Sequence, residues 1–130
     1  LSARPMGAIT RYLGFVEDVP AVLSAADVLV MPSRWEGFGL SAAEAMAAGR
    51  PVVATRVPGL SEVVADGRTG LLVPTDDAEA LSEAVERLVA DASLRAVLGS
   101  AGRARVAERF SIAANVAAHE ALYRRVLAGG

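Results

Sequence analysis

Short apolar runs alternate, along the first two thirds of the chain, with segments whose apolar positions recur at helical spacing. Residues 9–16 read as a strand, and 19–26 as a short helix with Val22 and Leu23 on its apolar face. Residues 28–31 form an apolar run closed by Pro32, which cannot donate to a sheet ladder. Residues 40–48 carry a helical pattern that Gly49 stops, and 52–54 are again unbroken apolar chain. A short helix is predicted over 58–65, ending near Gly67, and a last strand over 71–73 before Pro74. None of these strands alternates with polar residues, which is the pattern of parallel strands covered on both faces. The expected fold class is therefore α/β, a Rossmann-like parallel sheet with helices on both faces.

The last third reads as helix throughout. Asp76 or Asp77 caps a helix whose apolar stripe is Leu81, Val85, Leu88 and Val89. Leu94, Val97, Leu98 and Ala101 mark a second helix. Val116, Leu122, Tyr123, Val126 and Leu127 mark a third, after Phe110 and Ser111.

Composition narrows what such a sheet can do. With 130 residues, 53% of them hydrophobic and 22% charged, the chain has a globular balance and can bury a core without a metal or a disulfide. The net charge is −2 and the signs are interspersed, so no basic stripe exists for a nucleic-acid partner. The absence of cysteine excludes a disulfide framework, a thiolate metal site and a cysteine nucleophile, and it fits a reducing compartment. No pair or trio of His, Cys and Asp has metal-ligand spacing. Every basic residue is arginine, which leaves no lysine for a phosphate contact or a Schiff base. The apolar runs fall short of a membrane span, and the expected location is cytoplasmic. Residues 1–5 show neither a signal pattern nor an initiator methionine, and the chain is expected to be a piece of something longer.

The stretch with the most chemistry is residues 33–44, Ser-Arg-Trp-Glu-Gly-Phe-Gly-Leu-Ser-Ala-Ala-Glu, which follows a strand and opens a helix. In an open parallel sheet, ligands bind beyond the carboxyl ends of the strands. Gly37 and Gly39 let the backbone turn tightly, and the free N–H groups at the helix start make an anion site suited to a diphosphate. The same glycines would also serve a plain strand-to-helix turn. Glu36 is badly placed to bind phosphate but well suited to sugar hydroxyls, because a carboxylate only accepts hydrogen bonds. Glu44 has two readings: a hydroxyl acceptor for a ribose, or the fourth member of a capping box begun by Ser41. Residues 37–42 also fit the G-x-G-x-x-A dinucleotide fingerprint, with Arg56 as a 2′-phosphate contact. Against it, Pro32 to Glu36 separate the first glycine from the strand. Gly59 and Glu62 open another helix at the same end of the sheet, as a cap or as part of a ligand mouth. Asp27 reads as structural and His119 as a solitary surface histidine. No G-x-S-x-G elbow is present.

With these residues in hand, the chain resembles the carboxyl-terminal domain of family 4 glycosyltransferases of the GT-B fold. The resemblance rests on the E-x7-E pair Glu36 and Glu44 and on residues 12–16, 26–39, 49–55 and 66–73. It implies a retaining transferase that moves a sugar from a nucleotide-sugar donor to an acceptor the sequence does not name. The nucleotide-sugar would be a substrate, and no cofactor or metal would be required. Glu36 would be the catalytic-site acid that contacts the donor sugar. Backbone N–H groups of Phe38, Gly39 and Leu40, next to Gly37, would hold sugar and diphosphate. Glu44 would accept from the ribose, and Phe15 and Val16 would lie near the base. By the same likeness, residues 1–130 are one partial domain lacking an acceptor domain and its own first two strand-helix units. In that family's 3-2-1-4-5-6 order, the strand at 9–16 would be separated by two absent strands from the next. It is expected to detach, shift beside residues 28–31, or pair with another chain, and the exposed edge is expected to promote self-association. The full-length enzyme would be cytoplasmic or peripheral to a membrane. The alternative reading is a non-catalytic fold remnant that binds a nucleotide weakly or serves as an interaction module.

Overall fold

The computed structural model describes residues 9–129; residues 1–5, read above for a signal pattern, lie outside them. Nine elements follow in chain order: α1 (Val19–Ala25), β1 (Leu29–Met31), α2 (Leu40–Ala47), β2 (Val52–Thr55), α3 (Pro58–Val63), β3 (Gly70–Val73), α4 (Ala78–Ala90), α5 (Ala92–Arg109) and α6 (Ile112–Gly129). The three strands are parallel and pair side by side in the order β1-β2-β3, with Leu29 opposite Val52 and Val52 opposite Gly70. This is the α/β, Rossmann-like sheet that the apolar runs predict, followed by an all-helical third.

The central strand explains the layering. Every residue of β2 is buried, and successive side chains point to opposite faces. Val52 and Ala54 join Leu23 of α1, Ala42 and Met46 of α2, and Leu60 and Val63 of α3 in one cluster. Val53 points the other way, to Leu71, Leu88 of α4 and Leu98 of α5. Helix α5 serves both faces, because Val106 and Phe110 at its far end return to the first cluster.

Two local signals set the positions of α2 and α5. Helix α2 ends in a Schellman turn: the Arg50 N–H donates to the Ala45 carbonyl and the Gly49 N–H to that of Met46, both at 2.9 Å. That turn needs the left-handed φ of +73° found at Gly49. Helix α5 crosses just beneath it, so close that a Cβ at Gly99 would lie 2.1 Å from the Gly49 carbonyl oxygen.

Three expectations are corrected. Residues 9–16 form no strand. Ile9, Tyr12 and Phe15 are exposed, and the segment does not take up the free edge of β1. The foreseen shift beside residues 28–31 does not occur. Strand β1 is not fully buried, since it is paired on one side only and Val30 is exposed. The apolar positions of α6 do not face a core: no residue of α6 is buried, and Val116, Leu122, Tyr123, Val126 and Leu127 are all exposed. Val89 and Val97 likewise face solvent while Leu88 and Leu98 carry the packing.

Candidate functional site

The loop between β1 and α2 leaves the sheet at its carboxyl end. Its first residues are fixed by the buried Thr55 at the end of β2, whose hydroxyl donates to the carbonyls of Ser33 and Met31. Arg34 reaches across to Asp76 at 2.8 Å, an exposed ion pair that frames a hollow of about 370 Å³ over the strand ends. Trp35 stands in solvent, 82% exposed. Glu36 is half-buried, and the Ser33 hydroxyl donates to its Oε2 at 3.4 Å.

The next turn rests on α3. A Cβ at Gly59 would lie 2.3 Å from the Glu36 carbonyl oxygen and 2.8 Å from that of Gly37. Only a residue without a side chain leaves the loop backbone room there. The Gly39 N–H donates to the Gly59 carbonyl at 3.3 Å, and the Leu40 N–H to that of Phe38 at 2.7 Å. Two of the three expected backbone donors are therefore engaged within the loop. Gly59 is the buried floor beneath the loop rather than a wall of an open mouth.

Gly39 is the N-cap of α2, and no side chain caps the helix. Ser41 accordingly lies within the first turn and does not begin a capping box, so the cap reading of Glu44 is set aside. The capping box needs its Ser at the N-cap, and Gly39 takes that place. Glu44 is exposed and lines a groove of about 490 Å³ together with Phe38, Leu40, Arg109, Phe110 and Asn115. Phe38, Leu40 and Glu44 are thus brought together, whereas Glu36 is not among the residues lining that groove. Phe15 is 91% exposed and Val16 half-buried, in a segment without strand or helix.

Other sequence candidates resolve differently. Arg56 bonds Asp66 at 2.6 Å and is held by that partner. The Asp66 carboxylate also accepts from the Leu72 N–H at 3.0 Å. That backbone bond, outweighing partial burial and joined by Arg56, holds Asp66 below the usual carboxylate range. Asp27 lies before β1, at the opposite end of the sheet. His119 is exposed, with Nδ1 2.9 Å from the Asn115 carbonyl one turn earlier. Among the described residues no cluster of three or more His, Asp or Glu is placed to hold a metal ion. No helix among them is long and apolar enough to cross a membrane.

Phe110 and Arg105 escaped the sequence reading. Phe110 meets Phe38 edge-to-face with ring centroids 5.8 Å apart. Arg105 donates from Nε to the Val63 carbonyl at 2.9 Å and from Nη2 to that of Glu62 at 3.0 Å, closing the end of α3. Burial, then the charges of Arg109 and Arg68, pulls its pKa below the usual arginine value. An arginine five residues before a helix-ending aromatic was the available signal, and it carried no hint of what either would touch.

A parallel sheet whose carboxyl edge carries a glycine-rich loop running into an uncapped helix defines a Rossmann-like α/β domain with its ligand side at that loop. Comparison with known proteins narrows the class. Residues 3–91 match the model of the glycosyl transferases group 1 family, and the chain belongs to it. It is 38% identical, over 89% of its length, to the lipopolysaccharide core biosynthesis mannosyltransferase LpsB of Rhizobium meliloti, covering 34% of that protein. It is 46% identical to a sucrose-phosphate synthase from Thermosynechococcus elongatus, with a TM-score of 0.75 over 84% of this chain and 27% of that one. Anabaena Alr3699/HepE, solved in complex with UDP, is 30% identical with a TM-score of 0.81 over 88% of this chain and 32% of that one. The chain thus spans about a quarter to a third of the length of the curated relatives it matches.

Proposed function

We propose that the chain is the donor-binding part of a retaining, family 4 glycosyltransferase of the GT-B fold. It binds a nucleotide-sugar, and a second domain holds the acceptor. The observation that carries this reading is the residue 36–44 loop and helix start: a carboxylate, a glycine turn pressed onto Gly59, and an uncapped helix whose next exposed face presents Glu44. In this reading Glu36 accepts from the donor sugar, and the backbone N–H groups of Phe38, Gly39 and Leu40, beside Gly37, hold sugar and diphosphate. The ligand competes for the Gly39 and Leu40 donors that the free loop uses internally. Glu44 accepts from the ribose, and Phe15 and Val16 approach the base. A UDP-sugar is the donor class favoured by the complexes of Alr3699/HepE with UDP and with UDP-glucose.

The test is calorimetric titration of UDP and UDP-glucose into the chain and two variants. Glu44→Gln should weaken both ligands, because both carry ribose. Glu36→Gln should weaken UDP-glucose and spare UDP. A bond to a charged acceptor is worth about 1.5–3 kcal/mol, so affected affinities should fall roughly tenfold or more. Binding of both ligands by both variants at the parent's affinity would sink the assignment of roles. No heat with either nucleotide would favour the alternative of a non-catalytic remnant or interaction module. The isolated chain should transfer no sugar, since transfer needs donor and acceptor held in one cleft. Because β1 offers an unpaired edge and α6 an exposed apolar face, the chain should also self-associate with rising concentration, as sedimentation would show. The parent enzyme would work in the cytoplasm or at a membrane surface.

A further inference from the structure

We infer that Phe110 is a positioning residue for the 36–40 loop, acting through Phe38. The inference rests on the donor-site reading for its functional meaning, but its geometry stands apart from any ligand. The loop backbone lies on Gly59, at the start of α3. The end of α3 is tied by two hydrogen bonds to Arg105 of α5. The Arg105 guanidinium sits 5.9 Å from the centroid of the Phe110 ring, and that ring meets Phe38 edge-to-face at 5.8 Å. The path from the loop through α3 and α5 therefore closes on the loop itself. Phe38 is half-exposed and its neighbours in the loop are a glycine on either side, so local chain stiffness does not hold its ring. Phe110 does, and with it the direction of the backbone N–H groups around Phe38. Phe110 also ends α5 and stands immediately before Ser111, whose Oγ accepts from the Ala114 N–H at 3.1 Å and starts α6. The attitude of α6 is thereby linked to that of the loop.

The experiment uses three variants of the chain: Phe110→Ala, Phe110→Leu, which keeps bulk but removes the ring, and Phe110→Tyr, which restores the ring. Amide exchange is followed at Gly39 and Leu40, the two loop donors that have acceptors, with Leu88 in α4 as the internal reference. Melting curves and UDP titrations accompany each. An edge-to-face pair of this kind corresponds to roughly a three- to tenfold effect. In Phe110→Leu the loop amides should exchange faster by about that factor while Leu88 is unchanged, and UDP affinity should drop in parallel. Phe110→Tyr should bring both back. A purely structural role predicts the same acceleration at Leu88 as in the loop, and that result, or no change at either place, overturns the inference. If Phe110→Ala fails to fold, the Leu and Tyr pair still decides. If the parent chain gives no heat with UDP but the exchange pattern is as described, the donor reading fails and the positioning role stands.

Discussion

Placing a single methyl group on Gly59 tests whether the loop is held from below. The added Cβ would lie 2.3 Å from the Glu36 carbonyl oxygen, 2.8 Å from that of Gly37 and 2.9 Å from the Glu36 carbonyl carbon. All three are backbone atoms, so no side-chain rotation relieves the overlap. Ordinary contact begins near 3.4 Å, and the loop must retreat by about 1 Å. Overpacking of this kind costs about 1–3 kcal/mol, and losing the Gly39–Gly59 hydrogen bond adds about 0.5–1.5 kcal/mol. For a chain of this length roughly 4 °C of melting temperature goes with each kcal/mol, so Gly59→Ala should melt about 6–18 °C lower. UDP affinity should fall at least tenfold in the folded fraction, because a displaced loop misdirects its donors. Gly49→Ala is the control. Its φ of +73° makes alanine unfavourable there by about 1–2 kcal/mol, yet nothing lies within 4 Å of the added Cβ. It should lose stability and keep UDP affinity. Differential scanning calorimetry and titration read both quantities. A Gly59→Ala chain that melts within about 2 °C of the parent and binds UDP equally well would refute the claim that the loop rests on α3.

Glu44→Gln should leave the melting temperature nearly unchanged, since Glu44 caps nothing; a clear drop would revive the capping-box reading. Asp66 has a depressed folded-state pKa, so its contribution is present above the unfolded value and lost as pH falls through the folded one. Acid titration of stability should show a loss beginning near the ordinary aspartate value of about 3.9 and continuing below it, and Asp66→Asn should flatten that limb. Gly99→Ala should destabilise strongly, because the new Cβ would meet the Gly49 carbonyl oxygen at 2.1 Å; normal expression and melting would show that α5 can ride higher on α2.

The parts of the fold that could be read from sequence are those set by local patterning. Pro32, Gly49 and Pro74 punctuate apolar runs, and β1, α2, β2 and β3 lie within a residue or two of where that punctuation puts them. Asp77 caps α4, with its carboxylate accepting from the Ala80 N–H, as its place before the stripe suggests. What failed depended on partners. Residues 9–16 have the composition of a strand, but a strand is defined by pairing, and this segment does not take up the free edge of β1. The α6 stripe has the periodicity of a buried face without a core to meet it. The Ser41–Glu44 spacing matched a cap, but the N-cap is Gly39, two residues earlier, which puts Ser41 inside the first turn. At the site, the loop and its two glutamates were legible because they are contiguous. The support from Gly59, Arg105 and Phe110 was not, since it joins three elements distant in sequence.

Trp35 is the only tryptophan in the chain, and it stands directly before Glu36. Its ring folds back over Gly37, whose added Cβ would lie 3.7 Å from Trp35 Cη2, yet it stays 82% exposed. Fluorescence excited at the red edge of the indole band, where the two tyrosines do not absorb, therefore originates in the loop. Unliganded chain should emit at the long wavelength of a water-exposed indole. A blue shift on adding a compound then reports a drier setting for the ring next to Glu36, without a label and without assigning a spectrum.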